Sequence, residues 1–448
     1  MQFHVLQPHR NSVTPRPGNR PSATSPAPGP RSPARPAAAR TPFVIRPSSL
    51  VIFLLAALTA FAVRADDWPV FRGPNHNGIS PEKGWSTNWP PAGPKVLWRA
   101  NVGLGFSSFT VAGGRAYTMG NAAGQDSVSA FDAATGKVLW RHSYPCPLGA
   151  DYYQGGTSAT PTVDGNVVYT LSRKGNLFAL DAAKGTVLWA RNIMNELAVN
   201  EANNWGFGGS PVVEGDLLLL NAGAAGAAFE KATGKVVWKS AGKAGYSTPL
   251  PFGSGVRRAV LLFAGRSLVA VEPESGREIW TYPWATQYDV NAADPVIIGD
   301  RIIISSGYAA GAAGLQLQGN RVTRLWHNKN LFAHFATGVA LDGYLYAIHG
   351  HAGTVPGDLR CLDPKTGAIK WTDRPVGLGG LTAADGKLII LSEKGELIIA
   401  LPSPDSFQPI ARAQILGGTC WAAPVLANGR IYLRNGAGNT ACVDVKGK

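Results

Sequence analysis

The chain is built from short stretches of alternating apolar and polar positions, separated by turns rich in glycine and aspartate. Ser158–Trp189 contains four apolar stretches of about 4–6 residues, a length and period typical of half-buried β-strands. An Asp-Gly pair and a Lys-Gly pair between them favour tight hairpin turns. This span predicts one antiparallel sheet, with strands at Thr160–Val163, Val167–Leu171, Leu177–Leu180 and Val187–Trp189.

Tryptophan recurs at the end of this pattern along the whole chain. Seven tryptophans, each ending a stretch with aliphatic residues, are 42, 49, 49, 42, 46 and 45 residues apart. A period of about 20–50 residues indicates a repeat architecture. Four short strands per repeat are typical of a β-propeller blade. We predict that these tryptophans dock each blade on its neighbour: Trp98, Trp140, Trp189, Trp238, Trp280, Trp326 and Trp371.

The turn before the last strand of each unit has its own chemistry. In Ala130–Trp140 the order is A-x-D-x-x-T-G-x-x-x-W. Asp132 is placed to accept hydrogen bonds within its turn, and Gly136 suits a positive φ. Further copies of the turn, with small changes, lie at Ala179–Trp189, Ala228–Trp238, Ala270–Trp280 and Cys361–Trp371.

The two ends of the repeat region complement each other. The final unit, Ala423–Asp444, has three predicted strands, and Lys95–Ala100 is a tryptophan strand with no three strands before it. A shared sheet would close the ring and remove two exposed edges. We therefore predict an all-β, eight-bladed β-propeller of four-stranded antiparallel blades. Seven blades remain the alternative, because the fifth unit keeps only Trp326 and the seventh has Ile410 near the expected tryptophan position.

The repeat resembles the tryptophan-docking motif of quinoprotein alcohol dehydrogenases and of PQQ-like propeller-repeat proteins. The opening Asp67–Ser80 resembles the N-terminus of an exported, BamB-like subfamily of such repeats. The resemblance implies the propeller fold. It also implies PQQ with Ca²⁺ as the cofactor, if the chain is an enzyme of the dehydrogenase kind.

The chain departs from the enzymes of that family in its cysteines. Dehydrogenases of the methanol-dehydrogenase kind carry two adjacent cysteines, and forms with a haem carry C-x-x-C-H. Neither motif occurs here, and no short motif marks the Glu, Asn and Asp oxygens that would surround Ca²⁺ or the Asp base. We expect the four cysteines to be free and buried: Cys146, Cys361, Cys420 and Cys442. A disulfide between Cys420 and Cys442 within the last blade is the alternative, because an exported protein permits disulfides.

The net charge of +14 is unevenly placed along the chain. Residues 1–65 hold eight arginines and no Asp, Glu or Lys, so the other 383 residues carry +6. No later segment concentrates Lys and Arg, and we therefore expect no nucleic-acid partner.

The N-terminal segment has the features of an export signal. Leu50–Val63 is an apolar run of 14 residues that ends in a small-x-Ala pattern at Ala65. We predict a signal peptide over 48–65, cut after Ala65, and a periplasmic or secreted protein; an uncleaved anchor is the alternative. Residues 1–47 are a disordered Pro/Arg-rich extension or a start placed too far upstream. The expected mature chain has a lead segment (66–93), a propeller (94–448) and no membrane segment, and is a monomer.

Candidate ligand-binding residues follow from propeller geometry. Connections from a fourth strand to the next first strand, and turns between second and third strands, lie on one face around the channel. These loops are the longer ones and are rich in aromatic and polar residues, so we predict the site on this loop face. His349 and His351 lack a third ligand in the sequence, and no metal site is expected. The candidates are Tyr153, Glu201, Asn204, Trp205, Tyr288, Asp289, Asn291, Lys329, His334, Trp421 and Arg434.

Three functions remain open at this point. The favoured one is a non-catalytic exported scaffold that binds a protein, a peptide or a glycan through the loop face. The second is a PQQ-dependent alcohol or sugar dehydrogenase, which rests on the resemblance and on the polar loops. The third, a hydrolase or lyase, has no motif to support it.

Overall fold

The computed structural model describes residues 67–149, 153–198, 204–253 and 258–447. All of them lie in Thr59–Lys448, one of the two units into which the chain divides. The predicted N-terminal extension and signal peptide lie outside the described residues. Within the described ranges, no helix combines the length and the apolar character needed to cross a bilayer.

Antiparallel sheets follow one another along the chain, each built from consecutive strands, and the last two sheets each also take up a strand from the N-terminal side of the repeats. Two strands come first, β1 (Ile79–Ser80) and β2 (Val96–Asn101). Blade one consists of β3 (Thr110–Ala112), β4 (Arg115–Ala122), β5 (Gln125–Asp132) and β6 (Val138–Pro145). Blade two consists of β7 (Thr162–Asp164), β8 (Val167–Leu171), β9 (Asn176–Asp181) and β10 (Val187–Asn192), and α1 (Ile193–Glu196) follows it. Blade three consists of β11 (Val212–Glu214), β12 (Leu217–Leu220), β13 (Ala227–Glu230) and β14 (Val236–Lys239).

The remaining blades repeat this order. Blade four consists of β15 (Leu250–Phe252), β16 (Ala259–Phe263), β17 (Ser267–Val271) and β18 (Glu278–Pro283), and a 3₁₀ turn at Gln287–Asp289 follows. Blade five consists of β19 (Val296–Ile298), β20 (Arg301–Ser306), β21 (Gly311–Gln318) and β22 (Arg321–Asn328). Blade six consists of β23 (Val339–Leu341), β24 (Tyr344–His351), β25 (Val355–Leu362) and β26 (Ile369–Asp373). Blade seven consists of β27 (Gly380–Ala384), β28 (Lys387–Leu391), β29 (Glu396–Leu401) and β30 (Gln408–Gln414). Blade eight has β31 (Val425–Ala427), β32 (Arg430–Arg434) and β33 (Asn439–Asp444).

The ring closes between the two ends of the repeat region. β2 pairs antiparallel with β33, with Trp98 opposite Cys442, and is the fourth strand of blade eight. Units five and seven each form a sheet of their own, so the eight-blade prediction is confirmed and the seven-blade alternative is set aside. All four cysteines are free and buried, as predicted.

Tryptophans join neighbouring blades by one repeated contact. Trp140 of blade one lies against Gly185 of blade two, where an added Cβ would come 2.5 Å from the indole ring. Its Nε1 donates a 3.0 Å hydrogen bond to the carbonyl oxygen of Ala182 in the same turn. Glycine is required here because the ring occupies the place of a side chain. The same pairing occurs at Trp98–Gly136, Trp189–Gly234, Trp238–Gly276 and Trp326–Gly367.

The docking turn holds its shape through its aspartate. The Oδ1 atom of Asp132 accepts hydrogen bonds from the backbone N–H of Ala134 and from both the N–H and the hydroxyl of Thr135. These bonds stabilise the ionised carboxylate and lower the pKa of Asp132. The turn therefore presents Gly136, at φ 72°, to the incoming indole of Trp98.

The seventh blade differs from the prediction in two ways. It has five strands, because β1 of the lead segment pairs in parallel with β27. Ala411, which pairs with Ile399, occupies the tryptophan position, while Ile410 is 44% exposed. Trp85 of the lead segment packs at the junction of blades seven and eight, with Val443 and Val445, the latter being the counterpart of Ala133 in blade one. An indole of the lead segment is thus buried in a core cluster shared by blades seven and eight.

Candidate functional site

A band of hydrogen bonds links the first strands of successive blades around the channel. In each step, a backbone N–H of one blade donates to a side-chain oxygen of the next, over 2.8–3.1 Å. The band runs through Ser108, Thr160, Ser210, Thr248, Asp294 and Thr337. Four of these residues precede a proline, and this repeated Ser/Thr/Asp-Pro pair is a signal by which the sequence would have revealed the band.

A cavity of about 1030 Å³ lies on the loop-face side of this band. That volume is at the upper end of the range for small-molecule sites. Its mouth is lined by aromatic rings from the loops between blades and from two turns between second and third strands. We call this set the aromatic belt: Phe106, Tyr153, Trp205, Tyr246, Tyr288, Tyr308, His334, Phe335, His351 and Trp421.

Rings of the aromatic belt contact one another in sequence. From Tyr153 through Trp421 and His334 to Tyr246, consecutive ring centroids are 4.7–6.5 Å apart. His351 joins the belt at 4.2 Å from His334 and 4.3 Å from Tyr308. Edge-to-face and tilted pairs at these separations stabilise each other. The belt is therefore a preformed surface.

Both histidines of the belt are uncharged near neutral pH. Burial, followed by the proximity of His351, lowers the pKa of His334 to about 3. Its Nδ1 accepts a 3.2 Å hydrogen bond from the backbone N–H of Ala352, which requires that nitrogen to be unprotonated. Burial also lowers the pKa of His351. The mouth of the cavity consequently offers aromatic faces and neutral polar groups.

The lead segment forms the floor of the cavity. Trp68, Phe71 and Arg72 line it from below. Trp68 exchanges backbone hydrogen bonds with Val111 of β3, and Pro69 accepts one from Val163 of β7. This segment crosses to the opposite side of the ring, where Arg72 reaches blade six. The floor therefore closes the channel beneath the cavity.

One buried charge pair lies at this floor. The guanidinium of Arg72 donates to the carbonyl oxygens of Thr337 and Gly338, at 3.3 and 2.8 Å. Burial lowers the pKa of Arg72 to about 10, and the charge of Asp294 opposes this shift. Burial likewise raises the pKa of Asp294 to about 6 against the effect of Arg72. Near neutral pH the two groups carry opposite charges.

The structure brings six of the predicted site residues together around the cavity. Each lines the mouth from a different loop, except for the neighbours Asn204 and Trp205. Glu201 lies outside the described residues. The six lining residues are Tyr153, Asn204, Trp205, Tyr288, His334 and Trp421.

Two predicted residues lie buried beside the cavity and hold loops in place. Asn291 donates to the carbonyl oxygens of Ala264, Gly265 and Trp284 and accepts from the hydroxyl of Ser306. Arg434 is 1% exposed and donates to the hydroxyl of Thr118 and to four backbone carbonyls of blade one and the loop before it. Their contacts are those of structural residues.

Two further candidates lie at the outer side of the loops. Asp289 forms ion pairs with Lys243 and Arg266, at 3.2 and 3.3 Å. Lys329 is exposed and contacts the carbonyl oxygen of Ala309. The loop face therefore separates into an inner aromatic lining and an outer charged layer.

Five residues that line the cavity were not predicted from the sequence: Phe106, Tyr308, Phe335, Asp294 and Arg72. Phe106 and Phe335 are single apolar residues, which in a sequence look the same as residues of the hydrophobic core. Tyr308 lies in a Gly-Tyr turn between the second and third strands of blade five, a position that carries His351 in blade six. Arg72 comes from the lead segment, whose sequence gives no sign that it crosses the channel.

The described residues do not fit a calcium-bound PQQ. Such a site needs several carboxylate and amide oxygens around the metal. Asp294 is the one carboxylate among the described lining residues, and the positive charge of Arg72 lies beside it. No group of three His, Cys, Asp or Glu residues that could hold a metal ion occurs in the described ranges. His349 instead accepts a hydrogen bond from the backbone N–H of Phe332.

Comparisons with known proteins point to one family. A family profile described as outer membrane protein assembly factor BamB matches residues 87–198 and 124–373. The chain is 26% identical over 356 residues to outer membrane protein assembly factor BamB of Burkholderia pseudomallei, covering 75% of this chain and 84% of that protein. It is 28% identical over 178 residues to quinoprotein ethanol dehydrogenase of Pseudomonas aeruginosa, covering 36% of this chain. That match spans only 28% of the dehydrogenase's length.

Solved structures with the same fold include relatives of both kinds. BamB from Moraxella catarrhalis aligns with a TM-score of 0.57 at 17% identity, covering 78% of this chain and 97% of that one. Quinohemoprotein alcohol dehydrogenase from Comamonas testosteroni aligns with a TM-score of 0.64 at 15% identity, covering 86% and 81%. At these identities the likeness shows the fold. The profile, in contrast, covers more than half of the chain, and the chain therefore belongs to the BamB-like family of PQQ-type β-propeller repeat proteins.

Proposed function

We propose that this chain is an exported, non-catalytic binding propeller that holds a protein, peptide or glycan in the mouth of its channel. The observation that carries the proposal is the aromatic belt around a cavity that the lead segment closes from below. Preformed aromatic surfaces give binding energy at a low entropic cost. The match to BamB of Burkholderia pseudomallei over most of both chains supports a scaffold role.

Export is part of this proposal. The segment 48–65 has the pattern of a cleaved signal, and we expect the mature chain to begin after Ala65. N-terminal sequencing of protein recovered from the periplasm of a Gram-negative host tests this. A start at Asp66 agrees with export by a cleaved signal, whereas an intact N-terminus contradicts it.

A quinoprotein dehydrogenase is the second candidate. The match to quinoprotein ethanol dehydrogenase favours it, as does the presence of a buried carboxylate, Asp294, in the cavity. Addition of PQQ and Ca²⁺ to the purified mature chain tests it. A cofactor absorbance, a thermal shift and dye reduction with an alcohol or aldose would establish the enzyme and refute the non-catalytic proposal.

Tryptophan fluorescence gives a direct test of binding at the mouth. Trp205 and Trp421 lie in the aromatic belt, so a ligand bound there changes their emission. We expect at least one member of a peptide array and soluble glycan panel to bind the wild type, and to bind Trp205→Ala and Trp421→Ala about tenfold more weakly. Binding that both variants retain in full would place the site elsewhere.

A further inference from the structure

The mouth of the cavity has chemistry suited to an uncharged ligand. Among the described lining residues, formal charge at neutral pH is confined to Arg72 and Asp294 at the floor. Around the mouth, the side chains of Gln154 and Asn204 and the neutral histidines supply hydrogen-bonding groups between the rings. An acidic or basic polymer would lose hydration there without gaining a countercharge. The lining therefore favours a neutral ligand with apolar faces and hydroxyl groups.

At the floor, one carboxylate oxygen of Asp294 is open to the cavity. Asp294 is 7% exposed and lines the cavity. Its Oδ1 accepts a 2.8 Å hydrogen bond from the backbone N–H of Thr248, and no donor among the described residues reaches its Oδ2. This oxygen is not fully buried, so a ligand in the cavity can reach it, and a donor there forms a charge-assisted hydrogen bond.

The neighbouring arginine limits which donor can satisfy this oxygen. Arg72 places a positive charge near Asp294, because both residues bind Thr337: the guanidinium donates to its carbonyl oxygen and the backbone N–H of Asp294 donates to its hydroxyl. An ammonium ligand would be repelled by this guanidinium, although aromatic rings alone suit such a cation. A hydroxyl group donates a hydrogen bond without adding charge. The floor therefore favours a hydroxyl donor.

An extended peptide is a poorer match. Peptides commonly bind a propeller or sheet by adding a strand to a free edge. At blade seven, β1 already covers the edge that borders the cavity. The lining elsewhere consists of loops, and their described lining residues around the mouth carry no formal charge that would pair with a charged peptide side chain.

From these features we infer that the cavity binds the end of a neutral glycan chain. The inference deepens the proposed function and depends on it. The terminal sugar donates a hydroxyl to Asp294, and the next sugars stack their C–H faces on the aromatic belt. Because Trp68, Phe71 and Arg72 close the floor, the chain enters by its end and does not thread through the channel.

Affinity electrophoresis in gels containing soluble polysaccharides tests this inference. The neutral probes are xyloglucan, galactomannan, laminarin and dextran; the anionic probes are alginate and polygalacturonate. We expect at least one neutral polysaccharide to retard the mature wild-type chain, and its short oligosaccharides to compete. Tyr288→Ala, at a position 57% exposed, should bind about tenfold more weakly without loss of fold.

Matched variants separate ligand contact from stability. Tyr282→Ala removes the same side chain from β18 of the same region, outside the cavity, and should bind like the wild type. Asp294→Asn should weaken binding at least as much as Tyr288→Ala, with melting temperature measured in parallel. If Asp294→Asn unfolds, the comparison of Tyr288→Ala with Tyr282→Ala still decides the question.

Each other outcome overturns the glycan inference in a distinguishable way. Retention by anionic polysaccharides alone would show a charged ligand. Binding of peptides that Trp421→Ala abolishes, with no retention by a neutral polysaccharide, would refute the glycan and leave the binding propeller standing. Binding of neither class at the belt would refute both. Retention that Tyr288→Ala and Asp294→Asn leave unchanged would place the glycan elsewhere.

Discussion

The two faces of this propeller differ in how closely they follow the repeat. On one face, Asp-x-x-Thr-Gly turns recur from blade to blade, and each receives an indole from its neighbour. On the loop face, connections differ in length and composition, and from them come the rings that line one cavity. The regular face builds the scaffold and the irregular face carries the site. Substitutions on the two faces should therefore separate stability from binding.

The largest expected effect is on the regular face. Trp140→Ala removes an indole that is 8% exposed and docked on blade two, and should lower the free energy of unfolding by about 3–5 kcal/mol. Val138→Ala, in the same strand but 46% exposed, should change it by less than about 0.5 kcal/mol. Urea denaturation measures both. Equal losses in the two variants would show that docking does not hold the blades together.

Arg434 lies near the cavity on the loop face, but its hydrogen bonds are those of a residue that stabilises the scaffold. Arg434→Met removes the arginine donor from the buried carbonyl oxygens of Gly105 and Met119 and should cost about 3 kcal/mol. Ligand affinity, measured on the folded fraction, should remain close to that of the wild type. A large loss of affinity with unchanged stability would instead return Arg434 to the binding residues.

Two glycines, Gly185 and Gly165, allow the tight docking of Trp140 to be tested. Gly185 and Gly165 both have positive φ, at 71° and 54°, but an added Cβ meets Trp140 at the first and open space at the second. Gly165→Ala should cost about 1 kcal/mol for the backbone alone. Gly185→Ala should cost about 1–2 kcal/mol more, because the indole must shift. Similar costs in thermal or urea unfolding would contradict tight docking.

The smallest effect concerns acid stability near the loop face. Burial lowers the pKa of His349 to about 4, below its value of about 6.5 in an unfolded chain. The stability it contributes is therefore present above pH 6.5 and is lost as the pH falls towards 4. His349→Gln should reduce the fall in melting temperature between pH 7 and pH 4.5 by roughly 2–4 °C. His327→Gln, at an exposed position, is the control variant.

The sequence predicted what the repeat encodes. Blade two has strands at Thr162–Asp164 and Val167–Leu171, close to or identical with the predicted ones, because alternation and turn residues act locally. Ring closure was also predictable, since a strand without partners at each end admits one simple solution. Ile410 lies next to the tryptophan position, as predicted, but the sequence does not identify Ala411 as the exact position because no tryptophan marks the bulge before it.

The site was predicted in part, for a related reason. Aromatic loop residues such as Trp205 and Tyr288 stand out from the repeat and line the cavity. Asn291 and Arg434 stand out equally, but a sequence does not tell whether a polar side chain turns towards a cavity or towards buried carbonyls. Arg72 and Asp294 are more than two hundred residues apart in the sequence. They lie close together because the lead segment crosses the channel, and no local sequence pattern predicts that crossing.

The pairing of β2 with β33 has a consequence for how the protein is made. The last sheet joins β2 to a strand more than three hundred positions further along the chain, so it is completed only after nearly all of the repeat region has been synthesised. A prematurely terminated product would expose unpaired strand edges that attract other chains or proteases. The ring therefore closes only in a chain that contains both β2 and β33.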